Sequence, residues 1–435
     1  MCCAATAATT ADDTARRVPA SARTLRRSAP IVSPCPAALR AVSSAVVAAV
    51  AAQHKAHPTW SYQLHADNLV AQVTLGELVG RVPSYTTVRR LMKERGLFRQ
   101  KRRQRRGNQE LRDDHSREIF EARETRSFES EYVHGLWHLD FHGADFVRIV
   151  LANGTLATPK LLGILDDRSR LCCHAQWYLE ETGEALVHGL SQAIQKRRRP
   201  QQLLTDNGSA MKDGEVREGL LRLGILHEHT LPACPEQNGK QEAWWNSVEG
   251  RLLAMLENVE RLTLDALNHA TQAWVEMEYN RARHSEIGEA PAERFLRGPD
   301  VGRPSPTAEE LRLAFRVEET RMQRRSDGTV TIAGVRYEVP SRYRTLERLS
   351  VRFASWDLST VHLVDGRTGA LLAPLYPLDR TKNGQQARRV LAEVARSAPA
   401  PSTPIATNPE VAPLLRQLIT AYDRAGLPPA YVPKD

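Results

Sequence analysis

Long apolar runs are missing from this sequence. Across 435 residues no stretch approaches the roughly 18 consecutive apolar residues that a membrane-spanning helix needs. Cysteine is sparse as well. Cys2, Cys3, Cys35, Cys172, Cys173 and Cys234 form no Cys-x-x-Cys pair, so neither a zinc ribbon nor a disulfide framework is supported. His54 and His57 stand as His-x-x-His, but no cysteine pair follows at finger spacing, and a zinc-binding N-terminal module is not expected. Residues 42–52 are apolar and alanine-rich, yet no compact basic-then-apolar leader with a cleavage site precedes them; a cytoplasmic protein is expected. Acidic residues are the minority charge. Lys and Arg number 60 against 51 Asp and Glu, a formal net charge of +9 that favours a polyanionic partner.

The basic excess comes in blocks. Lys101-Arg102-Arg103-Gln104-Arg105-Arg106 is one and Lys196-Arg197-Arg198-Arg199 another, and each alone reads as a solvated run or as a nucleic-acid contact. Residues 1–36, rich in Ala, Thr, Ser, Pro and Arg, can bury too little surface to offset chain entropy, so a disordered Ala/Arg-rich tail is expected. Residues 37–107 read as a helical domain. Ala37 to Gln53 is helix-forming, Ser61 to Val73 gives a second helix, and a third is opened by Ser84 as cap and closed by Gly96. On the third helix Val88, Leu91 and Met92 face inward, leaving Thr86, Thr87, Arg89, Arg90 and Lys93 exposed. A helix-turn-helix presents its second helix to the major groove in this way. With Lys101, Arg102, Arg103, Arg105 and Arg106 just behind it, DNA contact is the expected role; a plain three-helix bundle with a charged face is the alternative. Residues 108–131 read as a charged helical linker.

Toward the other end, Asp327–Pro340 alternates about a central turn as a hairpin, and Leu349–Ala354 and Thr360–Gly366 add strands, which suggests a small β-barrel over 318–380. Residues 381–435 read as a Pro/Ala-rich tail with one helix in it.

The chemistry lies between these regions. Leu203-Leu204-Thr205 reads as a short buried strand stopped by the tight turn Asp206-Asn207-Gly208, which sets a carboxylate at a strand exit. Asp140 sits in the strand-like run Leu136–Phe141. Glu242 opens a helix running to Leu253, and 35 residues separate it from Asp206. Phe146–Val150 reads as a continuation of the Asp140 strand or as its neighbour. Leu171–Tyr178 reads as a strand with small core cysteines, Gly183–Arg197 as a helix capped by Thr182, Asp213–Leu223 as a helix and Ile225–Glu228 as a short strand. Together they make a mixed α/β layer over 132–300. Other acids are weaker candidates: Asp166 and Asp167 suit turn chemistry, Asp145 ends a strand, and Glu249 lies two turns beyond Glu242. Trp244 and Trp245 read as helix packing.

The three acids and their spacing resemble the D,D-35-E core of retroviral integrases and bacterial insertion-sequence transposases. Lys160–Arg170 resembles that family's second strand and hairpin. Tyr279–Ser285 followed by Ala290–Glu293 resembles the segment closing the core. The likeness implies an RNase H-like fold within a multidomain chain, and a DDE transposase that binds the ends of a mobile element. Such an enzyme cleaves DNA 3′ ends and carries out strand transfer. It also implies two Mg²⁺ ions, with Mn²⁺ substituting, Asp140 bridging them and Asp206 and Glu242 each completing one. Asn238 and Lys240 precede the catalytic helix where family members touch DNA, and Asn207 would orient Asp206 or the scissile phosphate. Terminal repeats and target DNA would be the partners, and a homo-oligomer on DNA is expected. The C-terminal strands resemble the barrel of phage-Mu-like transposases. Two departures stand out: Ala233–Asn238 replaces a common Ser-Pro-x-x-Asn, and no glycine ends the helix at Lys196–Pro200. A catalytically idle, transposase-derived DNA-binding protein is the rival reading. A plain RNase H-like nuclease is another, and it would need neither the helix-turn-helix nor the barrel.

Overall fold

Hydroxyl side chains start the first two helices. Ser43 accepts from the Val46 amide at the head of α1 (Ser44–Ala56), and Ser61 from the Leu64 amide at the head of α2 (Tyr62–Thr74). Ser84 precedes α3 (Tyr85–Glu94), but its hydroxyl meets the Thr86 and Thr87 hydroxyls at 2.9 and 3.1 Å and makes no cap bond, contrary to expectation. Val88, Leu91 and Met92 are buried, and Gly96 at φ +69° ends the helix as expected. The computed structural model describes residues 42–100, 128–144, 147–230, 239–381 and 405–426, all within the unit Val42–Asp435. The 1–36 tail and most of the 108–131 linker lie outside the described residues.

The middle region forms a mixed sheet of five strands ordered β5-β4-β1-β6-β7. β1 (Leu136–Gly143), β4 (Lys160–Asp166) and β5 (Cys172–Tyr178) pair antiparallel, β4 lying between the other two. β6 (Gln202–Thr205) and β7 (Leu226–His229) continue from β1 in parallel. The run ending at Val150 does not join this sheet. Ile149–Val150 (β2) pairs with Leu156–Ala157 (β3) in a separate ribbon, and the Val150 amide donates to the Leu262 carbonyl.

Helices α4 (Gly183–Arg197) and α5 (Gly214–Leu223) cover one face, where Trp137, Leu139, Leu162, Ile164, Leu190 and Leu203 form a core. Thr182 caps α4 as expected. The other face carries α6 (Gly239–Ser247), which continues through a π-helical turn to Leu253, and α7 (Leu264–Trp274), which continues likewise to Tyr279. Trp244, Trp245 and Trp274 pack there with Leu161, Leu165 and Trp177. Both indoles of the Trp-Trp pair are therefore packing residues.

β5 is an edge strand, yet every residue in it is buried. Asn268 bonds both the amide and the carbonyl of Trp177, at 2.7 and 3.2 Å, and Asn280 does the same for Cys172 at 2.9 and 3.1 Å. Side-chain amides thus close an edge that would otherwise expose unpaired backbone groups. Asn280→Ala is expected to lower unfolding free energy by about 1–3 kcal/mol, because two buried backbone groups lose their partner. Urea denaturation measures this, and a change below about 0.5 kcal/mol would contradict it.

Short helices α8 (Pro291–Arg297) and α9 (Ala308–Ala314) lead to the last sheet. It contains β8 (Val317–Met322), β9 (Thr329–Ile332), β10 (Val335–Glu338), β11 (Arg348–Ala354), β12 (Asp357–Val364) and β13 (Leu371–Pro377), ordered β8-β11-β12-β13-β10-β9. A bridge between Arg324 and Thr329 brings its two ends together, so the sheet is nearly a closed barrel around Val330, Tyr337, Val351 and Leu363. Beyond residue 404, α10 (Pro413–Arg424) buries Leu415 and Ile419 against α7, with Trp60 and Leu64 of the N-terminal region in the same cluster. The Leu414 amide donates to Asn68 at 3.0 Å. This helix is part of the core rather than an appendage. Among the described residues no helix is long and apolar enough to cross a membrane.

Candidate active site

Leu139 on β1 is level with Thr205 on parallel β6, the last pair of that ladder. The next residues are Asp140 and Asp206. Two carboxylates therefore stand side by side where the parallel ladder ends, Asp206 just past the end of β6 and Asp140 within β1, which runs on to Gly143 against β4. Local chemistry holds Asp206 in place: its Oδ1 accepts the Gly208 amide at 3.0 Å, and its carbonyl meets His229 Nδ1 at 3.0 Å. The exposed Asn207 donates its amide to the Thr230 carbonyl at 2.7 Å, which ties the turn to the end of β7. Thr205 Oγ1 is within 2.9 Å of His227 Nε2, adding a second tie.

Side-chain alternation sends His138, Asp140 and His142 toward α6 and Trp137 and Leu139 toward the opposite core. Burial, and then the neighbouring Asp206 carboxylate, push the Asp140 carboxyl up to about 7, against the Trp245 and Phe141 N–H groups and His142. Trp245 Nε1 lies 3.5 Å from Asp140 Oδ2, and the His142 ring stacks on Trp245 with centroids 4.7 Å apart. His142 Nε2 in turn meets Glu249 at 2.9 Å. Glu249 is thereby a partner of the Asp140 surroundings.

The close approach of α6 depends on Gly163. This residue is level with Asp140 on β4, and a Cβ there would lie 2.3 Å from Trp244 and 2.7 Å from Trp245. Gln241 donates to the Gly163 carbonyl at 3.1 Å. Glu242 is exposed in the first turn of this helix. The structure brings Asp140 and Asp206 together, and Glu242 is on the helix packed over the same face. Among the described residues no three acidic, histidine or cysteine side chains already form a metal-holding group. Asp140 and Asp206 still suit a hard divalent cation: both are oxygen donors, and their mutual repulsion is relieved by positive charge.

The sites expected to touch DNA divide into three groups. On α3, Thr86, Arg89 and Lys93 are exposed, and Thr87 and Arg90 are half-buried. Lys101, Arg102, Arg103, Arg105, Arg106 and Asn238 lie outside the described residues. Lys240 is turned into the protein. Its ammonium bonds Asp167 and the Phe128 carbonyl and sits 4.2 Å from the centroid of the Phe128 ring. The second basic block is also engaged internally. Arg197 grips Glu276 through both carboxylate oxygens at 2.6 and 2.7 Å, Arg198 pairs with Asp300 at 2.6 Å, and Arg199 donates to the Leu223 carbonyl at 3.0 Å. Arg198 adopts φ +73°, the left-handed backbone that the missing glycine would take without strain.

Asp166 is a turn residue as expected. Its carboxylate accepts the Ser169 amide and hydroxyl and the His134 amide. Asp167 was expected to do the same, but it accepts from His138, Lys240 and the Ser130 amide instead. Glu181, which no sequence pattern singled out, has its carboxylate beside the Asp206 turn, 3.2 Å from where a Gly208 Cβ would stand.

The strand order β5-β4-β1-β6-β7, with Asp206 at the exit of β6 beside Asp140 on β1, is that of an RNase H-like core. A family model described as an integrase core domain matches residues 131–235, so the middle of the chain carries an integrase core, which implies an enzyme of the polynucleotidyl-transferase type. The matched span includes Asp140 and Asp206 and stops short of Glu242. Among solved structures, the chain is similar to the catalytic core domain of BIV integrase, at 23% identity over 38% of this chain and 94% of that one, with a TM-score of 0.30. It is similar to the HTLV-2 integrase catalytic core domain in complex with magnesium, at 17% identity over 39% and 98%, TM-score 0.30. A simian T-cell lymphotropic virus intasome in complex with PP2A regulatory subunit B56 gamma matches at 16% identity over 58% and 79%, TM-score 0.34. No curated protein matches the chain.

Proposed function

We propose that this protein is the DDE transposase of a mobile DNA element. In this reading it binds the element's ends, cleaves at their 3′ ends and joins them to target DNA. The observation that supports it most is the placing of Asp140 on β1 beside Asp206 at the exit of β6 inside an integrase core, with Glu242 on the helix over the same face. Two divalent cations, Mg²⁺ or Mn²⁺, would supply neutralisation of the attacking, bridging and leaving oxygens. Asp140 and Asp206 would hold them, and Glu242 would complete the set. Asp140 would have to release its proton to hold a cation, so metal affinity should rise with pH up to about 7. α3 would read the element ends through Thr86, Arg89 and Lys93, as a helix-turn-helix does, with the basic block after residue 100 gripping phosphates. Bringing two ends together calls for a homo-oligomer on DNA.

The test uses DNA flanking the gene, end-labelled, with purified protein and Mg²⁺ or Mn²⁺. Wild type should nick the 3′ ends and form joined products, and Glu242→Gln should lose both by at least about 1,000-fold. Tight binding without cleavage by either would favour an idle DNA-binding protein. Cleavage surviving in Glu242→Gln would remove Glu242 from the site.

A further inference from the structure

One buried carboxylate joins the two elements that carry Asp140 and Glu242. Asp167 lies in the turn after β4 with its side chain fully out of solvent. Its Oδ1 accepts from His138 Nε2 at 2.6 Å and from the Lys240 ammonium, and its Oδ2 accepts the Ser130 amide at 2.6 Å. His138 is two residues before Asp140 on the same face of β1. Lys240 is two residues before Glu242 in the first turn of α6. A single side chain thus grips the neighbours of both acids.

Lys240 is unusual for its position. The amino end of a helix carries partial positive charge, so a cation in the first turn is disfavoured there unless something compensates. Asp167 supplies that compensation, and the Phe128 carbonyl at 2.5 Å and the Phe128 ring add to it. Only 13% of the Lys240 side chain is exposed, so the ammonium is held inside the protein. Burial alone would raise the Asp167 carboxyl, but the bonds from His138 and Lys240 outweigh it and hold it down at about 2. Burial also lowers the Lys240 ammonium from its usual range, and the hydrogen bond and charge of Asp167 oppose that shift. The first turn of a helix lacks intrahelical partners for its amides and frays most easily. Glu242 sits on that turn, and the Trp244 and Trp245 anchors lie further along the helix.

We propose that Asp167 is a positioning residue that, through Lys240 and His138, holds Glu242 in register with Asp140 for metal binding. The proposal rests on the reading of Asp140, Asp206 and Glu242 as metal ligands. Lys240 is accordingly a latch on the catalytic helix, and a phosphate contact by Lys240 is the competing role.

The experiment measures Mn²⁺ binding to the full-length protein without DNA, by electron paramagnetic resonance of free Mn²⁺. It compares wild type, Asp167→Asn, Lys240→Met, Lys240→Arg, the Asp167→Asn/Lys240→Met double variant and Glu242→Gln. Thermal unfolding in EDTA checks folding, and binding of the element-end DNA is followed across a salt series. Asp167→Asn and Lys240→Met should each weaken Mn²⁺ binding about tenfold or more, the double variant should be no worse than either, and Lys240→Arg should restore most of it. DNA affinity and its salt dependence should be unchanged. Should Asp167→Asn fail to fold, Lys240→Met and Lys240→Arg decide the matter alone. Unchanged Mn²⁺ affinity in Lys240→Met, with weaker DNA binding and a salt slope reduced by about one, would overturn the proposal in favour of a phosphate contact. Mn²⁺ binding that is absent in wild type or unaffected by Glu242→Gln would instead sink the ligand assignment itself, and the proposal with it.

Discussion

Asp140→Asn is expected to make the metal-free protein more stable at pH 8 by about 2–4 kcal/mol, while barely changing its stability at pH 4. The folded-state carboxyl is raised to about 7, chiefly by burial and then by Asp206, against about 3.9 in an unfolded chain. Below pH 3.9 both states hold the proton, and the raised value contributes its full stabilisation. As pH climbs from there to 7 the unfolded chain releases the proton while the folded one keeps it. Stability then falls by about 1.4 kcal/mol per pH unit until the folded carboxyl ionises. Above pH 7 the full penalty is in place, reduced somewhat because the site is not wholly dry. Asparagine carries no charge and escapes it. Urea denaturation in EDTA at the two pH values measures the difference. Equal stabilities at pH 8 would mean that Asp140 does not suffer the desolvation described. On the metal-ligand reading proposed above, the same variant should lose any stabilisation that Mn²⁺ gives wild type, since the cation would relieve a charge that asparagine lacks. A site that improves stability when disarmed is what a functional carboxylate pair predicts.

Gly163→Ala should do the reverse of what such a change does in an ordinary strand. Replacing an interior strand glycine by alanine normally gains about 0.5–1 kcal/mol, because the unfolded chain loses freedom. Here the new methyl would lie 2.3 Å from Trp244 and 2.7 Å from Trp245, both rigid indoles packed in the core, with Gln241 Nε2 at 2.9 Å. Neither indole can swing away without dragging α6, so a loss of about 1–3 kcal/mol is expected. On the transposase reading proposed above, the larger effect should be on catalysis. Displacing the helix by about 1 Å shifts Glu242 relative to Asp140, and misplacement on that scale costs on the order of 100-fold. Tryptophan fluorescence should register the movement, and the strand-transfer rate its consequence. An alanine variant as stable and active as wild type would show that the helix–sheet approach is looser than the geometry states.

Much of the site was legible because the signals were local. Asp206 follows two leucines and a threonine and precedes Asn-Gly, so strand, stop and a carboxylate at the strand exit were all written within six residues. Thr182 as a cap, Gly96 as a terminator, and Val88, Leu91 and Met92 as a buried stripe depend equally on near neighbours. The resemblance to integrase cores supplied the RNase H-like order, which periodicity alone would have left as an α/β layer.

Only tertiary structure could decide which charges face water. Lys196 to Arg199 is basic in any sequence window. Its partners Glu276 and Asp300 lie 79 and 102 residues away from Arg197 and Arg198, and pairing on that scale leaves no local pattern. Lys240 and Asp167, 73 residues apart, are the same case: the sequence shows a lysine beside a helix start, and only the fold brings a buried carboxylate to it. The amides of Asn268 and Asn280 look unremarkable along the chain, and their role appears only where β5 presents an edge. The hydrophobic pattern and turn chemistry of the sequence by themselves determined the strands, the main helices and the two strand-borne aspartates, because these arise between neighbours. The three-dimensional fold decided the pairing of buried polar groups, because a charge or an amide takes its cost and its function from whatever the fold brings beside it.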